Sequence, residues 1–482
     1  MKSIFALLAA GLLTLSGAPG SASDLHVWLI GGGNNLANSQ GQIEENVRWL
    51  EDIFADRGIK TRTYYTHGQG AEGDHDVVYF ALPEARDPVL EPILRVYGQG
   101  LQYALDTRTN SLRNIVGSTE KSVLKDSLRE DFSQVGPGDS VLLVYNGHGD
   151  INPDNTLHNN LLLWNNTSLN VEELHGLLEH ITPEAEVRFV LTQCFSGAFS
   201  TLIYDTPAST SLLPQSRCGF LAESDRRESE GCDLSTNQTE FRDYTTYFFA
   251  ALNGKTRLGE TIPADEISSD GSGEVSFRDA HLYTLRNAHS SDLSRSTSEV
   301  FMEHWQPWYL RWNSFAPAKP DSDYLRARDF VAEQHQLPVK GLARLRAEWR
   351  LRAEEQARTE QAYNRYDQAQ AYKDALQQSI ATALPNLPKV NAEYLATAPE
   401  AELHQLAQVI KESDLYPALL QAQEAAEQGT SQWQAAVRDR TQAKKIFRLA
   451  RLARLENSFS RYSSAKARRD FDNIISCETG TL

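Results

Sequence analysis

The chain has 482 residues, a formal net charge of −17 and 40% hydrophobic residues, which is enough material for the cores of two or three domains. Residues 321–482 carry 23 Lys and Arg against 22 Asp and Glu, so the excess negative charge lies in residues 1–320. An acidic body of this kind argues against nucleic-acid binding by that part of the chain.

The amino-terminal sequence MKSIFALLAAGLLTLSGAPGSAS combines a lysine, an apolar run from Ile4 to Leu15 and small residues up to Ser23. This pattern is typical of a secretory signal peptide, residues 1–23, that is cleaved after Ala22 or Ser23. The run is too short to span a bilayer, and no later stretch is apolar for long enough, so we expect no transmembrane segment. The mature protein is therefore expected to be exported, to a periplasm or to the medium.

From Asp24 the chain alternates predicted strands with predicted helices. The strands, in chain order, are HVWLIGGG, TRTYY, DVVYFAL, SVLLVYNGHG and EVRFVLTQC, and the helices are QIEENVRWLEDIFADRG, STEKSVLKDSLREDFSQ, Val171–Glu179 and FRDYTTYFFAALNG. Continuous Val, Ile and Leu runs that alternate with helices predict a mostly parallel sheet with helices on both faces, a three-layer α/β/α sandwich over residues 24–320. In such sheets, sites form beyond the carboxyl ends of the strands.

The carboxy-terminal part of the chain, residues 321–482, has a different character. Leu342–Leu384 and Thr430–Thr479 contain no Gly or Pro and are rich in Ala, Gln, Arg and Glu, and a short helix near Glu400–Glu412 lies between them. These features predict an all-α domain, a helical hairpin or small bundle with coiled-coil-like packing. Its basic end has several interpretations: a solvated helix face, docking on the acidic body as a removable or displaceable lid, binding to an anionic membrane surface, or a contact for oligomerisation.

The four cysteines are Cys194, Cys218, Cys232 and Cys477. In an exported protein, the short separation of Cys218 and Cys232 predicts a disulfide between them. Cys194 would then be free or paired with Cys477. A free thiol in an oxidising compartment is a liability unless it has a function.

Cys194 and His148 each follow a predicted strand, in VRFVLTQCFSG and VLLVYNGHG, and one βαβ crossover separates them. A right-handed crossover brings the two strand ends to the same edge of the sheet. A nucleophilic thiol needs a nearby base, and the N–H groups of Gly149 and Cys194 are placed to hold an oxyanion. The pattern predicts that Cys194 is a nucleophile and that His148 is its base. Without the His148 motif, the favoured interpretation of Cys194 would be a buried structural cysteine. His158 and His175 are weaker candidates for the base.

The motifs strand-GHG and strand-QCFSG resemble the His-Gly and Cys-x-Ser-Gly motifs of the caspase-like cysteine peptidases, which include legumains, caspases, gingipains and clostripain. The resemblance implies a caspase-like sandwich and a Cys–His endopeptidase that acts on proteins or peptides without a metal or organic cofactor. LIGGGNN is similar to the legumain strand whose asparagine orients the catalytic histidine, which implies that role for Asn34.

AESDRRESEGC resembles the legumain segment that borders the specificity pocket. The resemblance implies these substrate-binding residues: Gln193, Ala222, Glu223, Ser224, Asp225 and Glu228. Where legumains carry an arginine and a glutamate, this chain has Gln40 and Thr192, so a preference for asparagine is not predicted. The acidic residues of the segment suggest a pocket for Arg or Lys instead.

The segment SSDGSGEVSFRD matches a calcium-binding loop at Asp270, Gly273 and Asp279, but not at its first position, Ser268. A structural turn is the favoured interpretation, and weak calcium binding through Asp270 and Asp279 is the alternative.

The same residues are compatible with two alternatives to hydrolysis. One is an inactive homologue that binds peptides and assembles through its helical region. The other is a transpeptidase or ligase, since an amine can resolve the same acyl-enzyme in place of water.

Overall fold

The computed structural model describes residues 24–70, 74–268, 273–306 and 316–482. The predicted signal peptide, residues 1–23, lies outside the described residues. No helix in the described part of the chain is long and apolar enough to cross a membrane.

Twelve strands lie in the described residues: β1 Leu25–Gly32, β2 Thr61–Tyr65, β3 Val77–Phe80, β4 Leu105–Arg108, β5 Ile115–Gly117, β6 Ser140–Gly147, β7 Gly149–Asp150, β8 Asn160–Leu163, β9 Thr167–Asn170, β10 Glu186–Leu191, β11 Arg217–Leu221 and β12 Arg295–Ser296. Seven of them form the main sheet, in the order β12-β11-β10-β6-β1-β2-β5. Its pairs are parallel except for β11 with β12, which confirms the prediction of a mostly parallel sheet.

The helices of the α/β part are α1 Gly41–Asp56, α2 Leu90–Tyr97, α3 Lys121–Ser133, α4 Val171–Leu178, α5 Tyr244–Asn253, α6 Ala264–Ile267, α7 Phe277–Asn287 and α8 Thr297–Trp305. Those of the carboxy-terminal part are α9 Asp323–Gln334, α10 Gly341–Ala383, α11 Ala392–Thr397, α12 Glu400–Glu412, α13 Leu415–Tyr462 and α14 Ala465–Glu478. An α/β domain followed by a long helical region agrees with the predicted fold class.

The central strand β6 explains why the strand sequences are apolar throughout. Val141, Leu143 and Tyr145 belong to one buried cluster, and Leu142 and Val144 belong to the cluster on the opposite face. Because successive side chains point to opposite faces, a strand covered by helices on both sides needs apolar residues at every position. This arrangement is the predicted three-layer sandwich.

Two small ladders lie outside the main sheet. β3 pairs antiparallel with β4, although its sequence DVVYFAL predicts a strand of the main sheet. Pro83 begins a 3-10 helix shortly after β3, which limits the length of this ladder. β7, β8 and β9 form a three-stranded antiparallel sheet within the crossover from β6 to β10. The second ladder extends from the segment that carries His148.

The predicted helix over Thr430–Thr479 is two helices in the structure. α13 begins earlier, at Leu415, and ends at Tyr462. The Ser464 side chain accepts a hydrogen bond from the Ala467 N–H and so caps the start of α14. The absence of Gly and Pro predicts helix but does not reveal a serine cap within it.

The helical region packs on the α/β part in two different ways. The end of α13 and α14 share the main core beside the sheet, through side chains such as Leu452, Phe459 and Ile474. The start of α13, α10 and α12 instead form a separate cluster with Ile93 and Val96 of α2. A removable lid does not fit this arrangement, because removing residues 321–482 would expose the main core to water.

The disulfide prediction is wrong: Cys218 is bonded to Cys477, with 5.8 Å between their Cα atoms, and Cys232 is free. Cys218 lies near the start of β11, opposite Arg188 in the register with β10. Cys232 lies past the opposite end of β11, with its sulfur 4.0 Å from the carbonyl oxygen of Gly147. The length of the strand therefore separates two cysteines that are close in sequence.

Candidate active site

The two chemistry-bearing motifs lie at the carboxyl ends of adjacent strands. β6 and β10 are parallel neighbours, with Leu191 opposite Tyr145. Beyond this pair, the N–H of Thr192 donates a hydrogen bond to the carbonyl of Tyr145 over 3.2 Å. Cys194 therefore follows directly after a strand that is paired with the strand preceding His148, as the crossover argument predicts.

The glycines that flank His148 allow main-chain segments to come close together. A Cβ atom at Gly149 would lie 2.2 Å from the carbonyl oxygen of Cys194, and one at Gly147 would lie 2.7 Å from that of Gly32. Any side chain at either position would push the segments apart. Gly149 thus brings the histidine segment into contact with the main chain of Cys194.

His148 is half-buried and is held through one nitrogen. Its Nε2 lies 2.9 Å from the carbonyl oxygen of Asn38 and 2.8 Å from Oε1 of Gln40. A carbonyl oxygen only accepts, so Nε2 carries the proton and Nδ1 is the basic nitrogen of the neutral ring. Burial lowers the pKa of His148 below its ordinary value of 6.5, although the bond to Asn38 opposes part of that shift.

The role implied for Asn34 is wrong, because this residue makes no hydrogen bond to His148. Its Oδ1 accepts a hydrogen bond from Nδ2 of Asn38 over 2.8 Å, and its Nδ2 donates to Oδ1 of Asn166 over 2.9 Å. The chain turns back through a short 3-10 helix at residues 36–38, so the carbonyl of Asn38 reaches the imidazole. Asn34 steadies this loop, and Asn38 and Gln40 orient the histidine.

Cys194 is half-buried, and its sulfur accepts a hydrogen bond from the N–H of Ser229 over 3.3 Å. Burial raises the pKa of the Cys194 thiol above its ordinary value of 9.0, and the Ser229 N–H opposes part of that rise. The next residue, Phe195, has a φ of 59°, in the left-handed region that a residue other than glycine rarely adopts. Strain of this kind is typical of functional sites, where the surrounding structure holds it in place.

The backbone around Gly149 leaves a donor that could hold an oxyanion. The carbonyl of His148 accepts from the N–H of Leu162 over 2.9 Å, and Gly149 is paired with Leu161. Since antiparallel pairs alternate, Gly149 is at a position whose N–H points away from β8. The N–H of Cys194 makes no hydrogen bond to another residue in the described part of the chain.

A cleft of about 540 Å³ is lined by Phe195, the residue after Cys194, but by neither Cys194 nor His148; we call it the loop cleft. Its floor is the loop 226–233, which includes Ser229, the donor to the Cys194 sulfur. Helix α13 forms the opposite wall with Trp433, Val437 and Arg438. The sequence does not indicate this wall, because the helical region carries no motif that ties it to the site.

Of the predicted substrate-binding residues, Glu228 lines the loop cleft and is exposed. Glu223 is fully buried; its carboxylate pairs with Nε of Arg227 at 2.6 Å and accepts the N–H of Leu293 at 2.8 Å. It therefore holds the loop and is not available to a substrate cation. Asp225 is half-buried and does not line the cleft.

Three further predicted substrate residues are buried. Ala222 continues the sheet, with its N–H bonded to the carbonyl of Leu191, and Ser224 packs against Gly197. Gln193 is buried beside Gly149, and its amide nitrogen and oxygen have no hydrogen-bond partner among the described residues. An unpaired buried amide is costly, but Gln193 is fully buried and lines neither the loop cleft nor any other described cleft.

The weaker histidine candidates have other partners. Nε2 of His175 is 2.9 Å from the carbonyl oxygen of Tyr204, and the ring is buried as part of the core. His158 lies in the crossover near Glu172. In the described residues the Cys194 sulfur makes hydrogen bonds to Ser229, and no histidine, His148 included, is among its hydrogen-bond partners.

The calcium candidates do not form a described site. The Asp279 carboxylate accepts from the N–H and hydroxyl of Ser276 and caps α7, which supports the structural interpretation. Asp270 lies outside the described residues. No group of three His, Cys, Asp or Glu side chains that could hold a metal ion occurs in the described ranges.

Comparison with known proteins adds no argument about function. No protein-family model matches the chain, and no curated protein matches it. A crystal structure of protein GSU0716 from Geobacter sulfurreducens is similar to 57% of this chain and 92% of its own, with 14% identity and a TM-score of 0.34.

Proposed function

We propose that the chain is a cysteine-type endopeptidase. Cys194 is the nucleophile, His148 is the general base and then the general acid, and the N–H groups of Gly149 and Cys194 stabilise the oxyanion. The substrate is a protein or peptide. The single observation that carries the proposal is the contact of the Gly149 segment with the main chain of Cys194, at the carboxyl ends of paired strands.

The proposed reaction begins with both groups neutral. As the Cys194 sulfur attacks the scissile carbonyl carbon, its proton passes to Nδ1 of His148, and the carbonyl oxygen becomes an oxyanion. Collapse of this intermediate breaks the C–N bond, and His148 returns the proton to the leaving amine. Water, activated by the same imidazole, then hydrolyses the thioester and frees the thiol.

The hydrogen bonds around His148 support this assignment of roles. Asn38 and Gln40 occupy Nε2, so the ring has one tautomer and one nitrogen for the proton transfer. A histidine held in this way loses little entropy when it acts. Binding of peptides without chemistry does not need this arrangement.

The test compares the two free cysteines, since both are half-buried, Cys232 lies in the loop 226–233 and the Cys194 sulfur is bonded to Ser229 of that loop. Full-length protein is incubated with unfolded casein, and new peptide termini are identified by mass spectrometry. Cleavage should be lost in Cys194→Ala and retained in Cys232→Ala. Cleavage that survives Cys194→Ala, or its absence in the wild-type protein, would overturn the proposal.

A further inference from the structure

The loop cleft adjoins a second cleft of about 860 Å³ between residues 80–104 of the α/β part and the helices α10 and α13. Asp233 and Gln434 line both clefts, so the two adjoin at these residues. We call the combined depression the hairpin groove. It extends from the loop that contacts the Cys194 sulfur to the outer part of the two helices α10 and α13, which we call the helical hairpin.

The second half of the groove has walls from three separate parts of the chain. Tyr103 lies on the α/β side, Tyr366 on α10, and Thr430 on α13. Neither the α/β part nor the hairpin encloses this space alone. The groove therefore exists only because the hairpin packs on the α/β part.

Direct contacts hold the hairpin against the α/β part along the groove. Nη1 of Arg95 donates to Oε1 of Gln423 over 2.9 Å, and Nε2 of Gln423 donates back to the carbonyl of Arg95 over 3.1 Å. The Arg95 guanidinium lies 3.8 Å from the ring centroid of Tyr103, whose hydroxyl bonds to Glu427. The wall is thus formed before a ligand arrives, which lowers the entropic cost of binding.

The size and charge of the groove indicate what it binds. Each cleft alone has the volume of a small-molecule pocket, and the two together exceed that range. The second cleft is lined by three basic and three acidic side chains: Arg86, Arg95, Lys373, Asp233, Glu424 and Glu427. A balanced charge does not favour a polyanion such as nucleic acid, which needs a basic excess.

We infer that the helical hairpin supplies one wall of the substrate groove and that an extended polypeptide occupies it from Trp433 to Tyr366. The inference rests on the proposed function, which provides the reason for a polypeptide to reach the thiol. Aromatic side chains at both ends offer contact area, and side-chain amides such as Gln370 and Gln434 suit hydrogen bonds to a peptide backbone.

The test measures binding separately from cleavage, in the full-length Cys194→Ala background. Fluorescein-labelled, reduced and carboxymethylated casein is the probe, and fluorescence anisotropy gives its dissociation constant. Thr430→Trp fills the groove, and Gln428→Trp places the same side chain on the exposed surface of α13 outside it. We expect at least a tenfold weaker affinity for the first and a change within twofold for the second.

A second matched pair removes contact area instead of blocking it. Tyr366 and Tyr363 are exposed tyrosines of α10, 58% and 67% accessible, and only Tyr366 lines the groove. Tyr366→Ala should weaken casein binding several-fold, and Tyr363→Ala should not. Equal effects within either pair, or no binding by the Cys194→Ala protein, would overturn the inference.

The outcome separates this inference from the proposed peptidase activity. If wild-type protein does not cleave casein, but Thr430→Trp alone abolishes binding, the groove is a polypeptide site and the peptidase proposal fails. If casein is cleaved equally by wild type, Thr430→Trp and Gln428→Trp, the peptidase proposal stands and the hairpin is not part of the groove.

Discussion

The Nε2 atom of His148 lies 2.9 Å from the carbonyl oxygen of Asn38, a main-chain acceptor that no side-chain substitution removes directly. The position of this carbonyl depends on Gly33, because a Cβ atom there would lie 2.0 Å from the same oxygen. The orientation of His148 therefore depends on Gly33, which lies five residues before Asn38, the hydrogen-bond partner of His148.

Gly33→Ala should displace the carbonyl of Asn38 and leave His148 misaligned. We expect kcat/KM for casein cleavage to fall by about 100-fold, the order of loss that a displacement near 1 Å produces. Gly176→Ala is the control, since its Cβ would meet nothing within 4 Å on helix α4. Equal activities for the two variants would show that Asn38 does not position the base.

The pKa directions predict that the resting site holds a neutral thiol and a neutral imidazole. Burial lowers the pKa of His148 below 6.5 and raises that of Cys194 above 9.0. Cleavage should therefore rise as pH increases through the lowered pKa of His148, since the neutral ring is the base, and should be level near neutral pH. Alkylation of Cys194 by iodoacetamide, measured in Cys232→Ser protein, should still accelerate above pH 9. An alkylation rate that levels off below pH 7 would indicate a thiolate–imidazolium pair instead.

The disulfide between Cys218 and Cys477 connects β11 to the last helix. Cys477→Ser should lower the free energy of unfolding by about 2–5 kcal/mol in urea titrations. Cys232→Ser should change it little, because Cys232 is a free thiol. Peptide mapping of the unreduced protein should find the linked peptides of Cys218 and Cys477, and a Cys218–Cys232 linkage would contradict the structure.

Arg448 of α13 binds the α/β part through a buried ion pair. It lies 2.7 Å from Glu299, and its Nη1 donates to the carbonyl of Ser294. Burial alone would raise the pKa of Glu299. Arg448 and His281 lower this pKa by more than burial raises it, so the pKa of Glu299 is below its ordinary value. Arg448→Met should cost about 3–5 kcal/mol of unfolding free energy, because it removes the guanidinium that balances the charge of the buried Glu299 carboxylate. It leaves His281 and the Ser296 N–H as the partners of that carboxylate.

The matched control for Arg448 is Arg468→Met, an exposed basic residue on α14. It should change stability by less than about 0.5 kcal/mol. The stability that the lowered Glu299 pKa contributes is present above the unfolded-state pKa of 4.5 and is lost as pH falls through the folded-state pKa. The difference between wild type and Arg448→Met should therefore shrink in acid, and a constant difference would contradict this account.

The sequence predicts the parts of the site that depend on strand order. Apolar runs reveal β6 and β10, and crossover handedness brings their ends together, so the placement of Cys194 relative to Gly149 follows from local patterns. Asn38 could not be found in this way, because a main-chain carbonyl has no residue-type signal. The three glycines before Asn34 indicate that the backbone there comes close to another group, but they do not identify that group as the carbonyl of Asn38.

Long-range packing sets the rest of the structure. Cys218 and Cys232 are near in sequence, but the pairing depends on which ends of β11 they occupy and on where α14 lies. The contribution of α13 to the loop cleft likewise follows from tertiary contacts such as Arg438 with Glu230, at 2.7 Å. Composition predicts these helices, but it does not predict what they pack against.

The most direct test of the central claim is the site of covalent labelling by a peptide electrophile. Full-length protein is treated with a library of peptidyl acyloxymethyl ketones, and the modified residue is identified by mass spectrometry in wild type and His148→Ala. The account predicts modification of Cys194 in wild type, protection by unfolded casein, and a large loss of labelling in His148→Ala. Labelling of Cys232 instead of Cys194, or equal labelling without His148, would contradict it.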